Sequence, residues 1–469
     1  MRVAIVAESF LPNVNGVVNS VLRVLEYLRR EGHEAVVIAP GARDRQEEIF
    51  TYEGFRIVRV PTVEVPGINS LPIGVPLPTV LTELSRFRPD VVHLASPFVL
   101  GAAGAFAAKT LNVPCVAIYQ TDVAGFANNY KFKALAAAVW QWTRAFHNQC
   151  AMTLAPSSVS ISELEEHGVR NIHHWGRGVD TQRFHPSRRS EKLREDWLRE
   201  GQRLRREIGQ DSQTPIMERR VVGFVGRLAA EKSVERMAAL NSRDDVQLVI
   251  VGDGPELEPL KEIMPTAVFT GGMYGDDLPR AFASLDVFVH TGQFETFCQA
   301  VQEAHASGVP AIAPAAGGPV DLINPGVNGY LLEVNTFEQD LPGAIDDILA
   351  VGLATMKAQA FNTVQGKSWN GLCEQLMGYY LAAMEKNAPR GFGAVIRVAK
   401  PAQRELTIGH SQRAPRDHSQ RVGSQRANSP REASQPAAAP AAANTAPNQA
   451  GSVSPTRSMS GAGSNSAVA

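Results

Sequence analysis

The fold class expected here is α/β: two doubly wound, Rossmann-like domains facing each other across a cleft, followed by a disordered C-terminal tail. Three observations lead to it. At 469 residues the chain exceeds what one hydrophobic core organises. Short apolar runs alternate with helical patterns, and they do so in two successive blocks. The runs are apolar throughout rather than at every second residue, as strands of a parallel sheet covered on both faces must be.

In the first block, residues 1–185, the strand candidates are RVAIVAE, EAVVIAP, FRIVRVP, VVHLASP, CVAIYQT and MTLAPS. Between the first two, Val17, Val18, Val21, Leu22, Leu25 and Leu28 form one stripe at helical spacing. Arg29 and Arg30 complement the negative end of that helix, and Gly32 stops it. Residues 186–215 are highly charged, with Leu193, Trp197 and Leu204 set among alternating acids and bases. That mixture reads as a linker or solvated surface helix rather than one that binds nucleic acid or lipid. The second block, 216–368, repeats the scheme with VVGFVGR, VQLVIVGDG, AVFTGG, DVFVHTG, PAIAPAAGG and GYLLE. An amphipathic helix follows over 369–386, carried by Trp369, Leu372, Leu376, Tyr379, Tyr380 and Ala383. From 387 to 469 the chain turns to Ala, Ser, Pro, Gln and Arg with almost no aromatic residues, a composition that cannot bury a core and is expected to be disordered.

The net charge of −1 conceals an asymmetry. From Arg390 onward there are 10 basic and 3 acidic residues, so of the 46 basic and 47 acidic residues, 36 and 44 precede it. A mildly acidic body therefore carries a basic tail, and nucleic acid is not an expected partner. Cys115, Cys150, Cys298 and Cys373 lie far apart, without metal-ligand spacing, which suits a reducing cytoplasm better than a disulfide framework. The opening MRVAIVAESFLP is too short for a signal peptide and reads as a strand. No run reaches the roughly 18 apolar residues a membrane span requires, so membrane contact is expected to be peripheral, at the inner face if anywhere.

Ligands of open parallel sheets bind beyond the carboxyl ends of the strands, and the notable motifs lie there. The strand LDVFVHTG runs towards Glu295-Thr296-Phe297-Cys298-Gln299, with Glu303 further along the same helix. Thr296 and Gln299 have capping-box spacing, which would leave the amides of Phe297 and Cys298 pointing outwards. Such a surface suits a phosphorylated sugar: carboxylates grip hydroxyls and N–H groups meet anionic oxygens. Two exposed glutamates on a solvated helix would look the same. After the first strand, FLPNVNGVV places Gly16 at a helix start, where a backbone approaches a ligand closely, although an ordinary strand–helix turn would also serve. Gly226-Arg227-Leu228 follows the first strand of the second block, and Lys232 follows it. Two cations there suit a pyrophosphate, Arg as a fork and Lys as a point charge; the plainer alternative is a surface salt bridge with Glu231. Gly252-Asp253-Gly254-Pro255 reads mainly as fold punctuation, Gly271-Gly272-Met273-Tyr274 could flank a base, and Gly317-Gly318 reads as a close-approach loop. Gln365-Gly366-Lys367-Ser368 imitates a P-loop ending but lacks the earlier glycine, its place being taken by Phe361. No Asp-x-Asp occurs, which removes the usual metal clamp of sugar nucleotides, so no metal and no cofactor are expected.

GRL–x3–K, GDGP, the glutamate pair eight apart, SGVPAIAP–GG–P and NGYLL, together with the Asn-Gly-Val loop and WGRGVDTQRFHP upstream, resemble in order and spacing family 4 of the retaining glycosyltransferases over about residues 1–385. The resemblance implies the glycosyltransferase-B fold, with an acceptor-binding first domain, a nucleotide-sugar-binding second domain and a terminal helix crossing back onto the first. It implies that Glu303 holds a ribose and Glu295 the donor-sugar hydroxyls. Arg227 and Lys232 would bind the diphosphate, with Gly16 and the Phe297, Cys298 and Gln299 amides beside it. Transfer would follow a front-face route in which the leaving diphosphate helps deprotonate the acceptor. Where many relatives carry a His, this chain has Gln120, which hydrogen-bonds but cannot ionise. Nearby Asp122 is a candidate acceptor contact.

YQTDVAGFANNY, LASPFVLG and ETFCQAVQEAHASGVP look most similar to actinobacterial mannosyltransferases that use GDP-mannose on glucuronosyl diacylglycerol or related glycolipid anchors. Residues 126–147 mix cations with Phe132, Trp140, Trp142 and Phe146, as an interfacial helix would, though a partly buried core helix fits equally. A UDP-sugar donor or a soluble acceptor is the alternative within the class. A sugar-nucleotide epimerase or hydrolase, and a non-catalytic nucleotide-binding module, are the alternatives outside it.

Overall fold

Val3, Ile5 and Ala7 face one hydrophobic cluster and Ala4 and Val6 another, so the first strand is buried on both sides, as its unbroken apolar run requires. The computed structural model describes residues 1–13, 15–41, 48–63, 73–74, 78–96, 98–120, 133–210 and 213–387; Asp122 and the tail beyond Asn387 lie outside them.

The first lobe contains β1 (Arg2–Val6), α1 (Gly16–Arg30), β2 (Glu34–Pro40), β3 (Thr51–Tyr52), β4 (Phe55–Val60), β5 (Thr62–Val63), β6 (Ile73–Gly74) and α2 (Thr79–Phe87). It continues with β7 (Val91–Leu94), α3 (Val99–Thr110), β8 (Cys115–Ile118), α4 (Lys133–His147), β9 (Met152–Ala155), α5 (Ser158–Glu166) and β10 (Ile172–His174). Its sheet has the order β10-β9-β8-β7-β1-β2-β4-β3, parallel throughout except for the β3–β4 hairpin. The chain leaves β1 in one direction and returns on its other side at β7, so the topological switch point lies between those two strands.

The second lobe comprises α6 (Glu191–Glu207), β11 (Arg220–Val225), β12 (Val246–Val251), α7 (Leu257–Ile263), β13 (Val268–Gly271), α8 (Asp277–Ser284), β14 (Val287–Val289), α9 (Gln299–Ala306), β15 (Ala311–Pro314), β16 (Gly329–Leu332), α10 (Phe337–Val351) and α11 (Leu353–Thr363). Its sheet, β13-β12-β11-β14-β15-β16, is wholly parallel, with its switch point between β11 and β14. Separate clusters cover its two faces, Val249 and Phe288 on one and Leu248, Ile250 and Val289 on the other.

Helix α6 is not a free linker. Trp197 and Leu198 are buried in the second lobe's core, and Arg194 is buried with its guanidinium 2.5 Å from Asp286. The low hydrophobicity of its sequence comes from the opposite face, where Arg199 and Arg203 pair with Glu195, Glu200 and Glu207 in solvent. Such exposed pairs stabilise little; the buried stripe is what docks the helix.

The last helix, α12 (Trp369–Asn387), packs on the first lobe. Cys373, Leu376, Tyr380 and Ala383 enter the cluster that holds Val21, Leu25 and Ile5. Tyr380 Oη lies 2.5 Å from His93 Nδ1, and Trp175 Nε1 donates to Leu372 O at 2.9 Å. The two chain crossings between lobes touch: Val179 N donates to Lys367 O at 2.9 Å, and a Cβ on Gly178 would sit 2.5 Å from Trp369 N. Only glycine lets the crossings run this close. The described residues accordingly belong to one compact unit.

Candidate active site

Both switch points open onto the same cleft, and the charged residues gather there. His290, 3% exposed, directly follows β14, and the chain continues through Thr291 and Gly292 to Glu295. Lys232 reaches the same place from the end of β11. Thr291 Oγ1 donates to Lys232 O at 2.6 Å, and Gly292 leaves no more than contact distance to the Lys232 backbone. Lys232 Nζ is ion-paired with Glu295, and His290 Nε2 lies 3.6 Å from the same carboxylate. Burial pushes the Glu295 pKa up, but Lys232, His290 and Arg177 outweigh it and hold it below the usual carboxylate range. Burial likewise opposes the charge on Lys232, and Glu295 overcomes it, leaving the ammonium harder to deprotonate than usual. His290 is pushed down to about 4 by burial and by Lys232 against the pull of Glu295, so it is neutral at pH 7.

The loop bearing Glu295 is clamped from behind. Gly318 N donates to Glu295 O at 2.6 Å, a Cβ on Gly317 would lie 2.4 Å from Glu295 O, and one on Gly318 would lie 2.3 Å from the Phe297 backbone. The close approach expected of this glycine pair is thus made to the protein's own backbone. Gly252 and Gly254 do the same for the loop after β11: added Cβ atoms would meet Gly226 O at 1.8 Å and Leu228 O at 2.1 Å.

The expected Thr296–Gln299 capping box does not form. Helix α9 begins only at Gln299, entered through Cys298 in a left-handed conformation (φ 71°), and no side chain caps it. The turn at Cys298 aims both side chains at the other lobe instead: Thr296 Oγ1 donates to Gln120 O at 3.0 Å and Gln299 Nε2 to Gly178 O at 3.1 Å. The amides of Phe297 and Cys298 have no acceptor among the described residues. Burial raises the Cys298 thiol, which is therefore protonated and no nucleophile. Glu303, one turn further along the helix, is pushed up to about 7 by burial, against Arg183, the Gln299 side chain and Arg177.

Gly16 begins α1, and the Asn15 side chain caps that helix by accepting Val18 N at 2.9 Å. Facing it is Arg177, which follows β10. A Cβ at Gly16 would meet Arg177 Nη1 at 2.6 Å, and Arg177 Nη2 donates to Gln120 Oε1 at 3.3 Å. Burial lowers the guanidinium pKa to about 10 against the attraction of Glu295, so the group stays cationic. Gln120 also donates from Nε2 to Ala95 O at 3.1 Å.

The structure thus brings Lys232, Glu295, Cys298 and, across the cleft, Arg177, Gln120 and Gly16 into one neighbourhood, with Glu303 on the adjoining helix turn. Arg227 is not part of it: the side chain is half-exposed and paired with Glu231, the plainer of the two arrangements considered above. Sequence reasoning did not single out Arg177 or His290. Arg177 sits in the quoted WGRGVD motif, but β10 is three residues long and His-rich, so no strand signal marked the position as a strand end. Chemically, the arrangement offers fixed cations and open amides to a polyanion and an ionised carboxylate to hydroxyls; among the described residues it offers no poised nucleophile.

Comparison with known proteins agrees with this geometry. Residues 14–183 match the family model described as Glycosyltransferase Family 4, and residues 206–360 match Glycosyl transferases group 1. The chain is 57% identical over 404 residues to a GDP-mannose-dependent alpha-mannosyltransferase of Corynebacterium glutamicum, covering 85% of this chain and 94% of that protein. It is 50% identical over 395 residues to a protein of the same description from Mycolicibacterium smegmatis, covering 83% and 100%. Among solved structures, the HepE protein of Anabaena in complex with UDP superposes with a TM-score of 0.61 at 18% identity, covering 81% of this chain and all of that one. A sucrose-phosphate synthase from Thermosynechococcus elongatus gives 0.64 at 17% identity, covering 82% and 99%. These last two likenesses establish the shared two-lobed fold.

Proposed function

The chain belongs to glycosyltransferase family 4, and from that premise we infer that it is a retaining α-mannosyltransferase that takes its sugar from GDP-mannose and passes it to a membrane glycolipid. The observation that carries the donor assignment is the 50–57% identity, over more than four-fifths of the chain, to proteins described by that activity. The fold and the cleft chemistry suit it.

In this reading Glu303 takes the ribose diol of the nucleotide, and the diphosphate lies among Lys232, Arg177 and the amides of Phe297, Cys298 and Gln299. Departure of GDP develops negative charge on phosphate, and those donors are already in place to meet it. Metal-independent transfer is part of the proposal, on the strength of these cations. Glu295, held ionised, accepts hydroxyl hydrogens of the mannosyl group and orients it. Gln120 presents its side chain from the opposite lobe, where it can bond a sugar hydroxyl but cannot trade a proton. The acceptor's proton therefore passes to the leaving diphosphate. Arg227 joins the diphosphate only after exchanging its Glu231 partner.

For the acceptor, support comes from α4. Trp140 is stacked on His167 and Phe146 is buried, but Trp142 is 52% exposed on the same helix as Arg144. An aromatic at the surface beside a cation suits the headgroup region of an anionic bilayer, and we place the enzyme peripherally at the inner membrane face. No helix among the described residues is long and apolar enough to cross a membrane.

The test is a donor panel, GDP-mannose against UDP-glucose and its relatives, with a membrane lipid extract as acceptor and EDTA present. Incorporation into lipid from GDP-mannose is expected. Incorporation only from UDP-sugars would overturn the donor assignment, and strict dependence on added divalent ions would overturn metal independence.

A further inference from the structure

A cavity adjoins the site, sharing Arg177 and Phe297 with it and extending to the chain crossings. It measures about 770 Å³ and is walled by both lobes and by both chain crossings: Pro156, Ser158 and Ile161 from the first lobe, Phe297, Gln302, Asp321 and Leu322 from the second, and Gly176, Arg177 and 366–368 from the crossings. Neither Glu295, Lys232, Arg227 nor Glu303 lines it. The volume falls within the range of small-molecule sites.

Its polar groups are incompletely used. Gln302 is 1% exposed; its Nε2 donates to Arg177 O at 3.0 Å, while its Oε1 has no hydrogen-bond partner, and neither has the buried Nε of Arg177. Lys367 is exposed and has no carboxylate within ion-pair distance among the described residues; Asp321 pulls its pKa up, but partial burial outweighs that pull and lowers it. Ser368 lines the cavity just before α12, its Oγ accepting Gly371 N at 3.2 Å. Asp321 of the second lobe, which also lines the cavity, accepts Ser158 N (2.6 Å) and Ser158 Oγ (2.5 Å) at the start of α5 in the first. Asp321 is thus already hydrogen-bonded, whereas Lys367 is not ion-paired.

We propose that this hinge cavity is a second ligand site, which takes a small phosphorylated polyol: phosphate against Lys367 and the start of α12, and a hydroxyl donating to Gln302 Oε1. A buried acceptor without a donor calls for a ligand hydroxyl, and an unpaired ammonium just before a helix start calls for an anion. Pro156, Ile161, Phe297, Leu322 and Leu372 pack the carbon skeleton. Because the walls belong to both lobes and both crossings, occupancy couples to the angle between the lobes, and through Phe297 and Arg177 to the catalytic cleft.

The test is calorimetric titration of the full-length protein with mannose 6-phosphate, with inorganic phosphate as the anion lacking hydroxyls. Three proteins are compared: the parent, Lys367→Ala in the hinge cavity and Lys232→Ala in the donor cleft. Lys367 is at the surface, and an unchanged melting temperature and GDP affinity verify that its variant is folded. Saturable binding of mannose 6-phosphate, weaker by about tenfold or more in Lys367→Ala and unchanged in Lys232→Ala, is expected, with inorganic phosphate binding less tightly. Absence of saturable binding, or binding lost with Lys232→Ala and kept with Lys367→Ala, would overturn the proposal without touching the donor assignment. Equal affinity for inorganic phosphate would overturn the part assigned to Gln302.

Discussion

Gly318→Ala isolates the clamp behind the catalytic loop. Gly318 is not among the residues with positive φ, so alanine suffers no backbone penalty there and the whole effect is steric. Its Cβ would lie 2.3 Å from the Cα, C and O of Phe297, whereas ordinary contact begins at 3.4 Å. The 295–297 segment must therefore retreat by about 1 Å, and it is backbone, so no side-chain rotation relieves the contact. That retreat also strains the Gly318 N–Glu295 O bond and carries the Glu295 carboxylate with it. Overpacking of this kind costs about 1–3 kcal/mol of stability, and an error of about 1 Å in a positioning group lowers turnover by up to about 100-fold. Measured with GDP-mannose and lipid extract, the variant should melt a few degrees lower and lose at least about tenfold in kcat, with GDP affinity changed much less. A folded Gly318→Ala protein whose kcat lies within about twofold of the parent would refute the idea that this contact sets the position of Glu295.

Three further outcomes follow from the electrostatics. Glu303 is protonated below about pH 7 in the ligand-free protein, so GDP affinity, read by calorimetry, should strengthen as pH rises through 7 and lose that dependence in Glu303→Gln. Lys232→Ala removes the main partner of Glu295; stability should fall by about 2 kcal/mol, discounted for the pair's partial exposure, and GDP binding should weaken by about tenfold or more. His93, His147 and His305 are pushed down to about 3 and His290 to about 4, chiefly by burial, so each subtracts stability as pH falls below the unfolded value near 6.5. Glu8 and Glu303, raised to about 7, act oppositely because the folded state holds their protons more firmly. The sum is a loss of about 2 kcal/mol between about pH 7 and pH 5.5, and denaturant titrations showing equal or greater stability at the lower pH would contradict it.

The strands were legible because burial on both faces leaves a continuous apolar signature: all twelve runs named from the sequence are strands. Very short strands carry no such signature, which is why β3, β5, β6 and β10 went unread, and with β10 the position of Arg177. Helix α6 shows the converse problem. Its buried face includes Arg194 and Arg205, cations hidden by hydrogen bonds to carbonyls of the second lobe, and no hydropathy pattern marks an arginine as buried. Spacing placed Glu295 and Glu303 on adjoining features but misjudged Thr296, because a capping box presumes that the helix begins at Phe297. The left-handed Cys298 delays it, and nothing local announces that conformation at a cysteine. Pairings between lobes, such as Thr296 with Gln120 or Asp321 with Ser158, join residues 176 and 163 positions apart and exist only once both sheets are built.

The central claim is that mannose leaves GDP and joins the acceptor on the same face of the sugar, within a cleft that supplies cations to the leaving diphosphate. The most direct measurement is the anomeric configuration of the mannosyl lipid made from GDP-mannose, read from the one-bond carbon–hydrogen coupling at C1 by NMR. The account predicts an α-mannoside, matching the donor; a β-mannoside would contradict it.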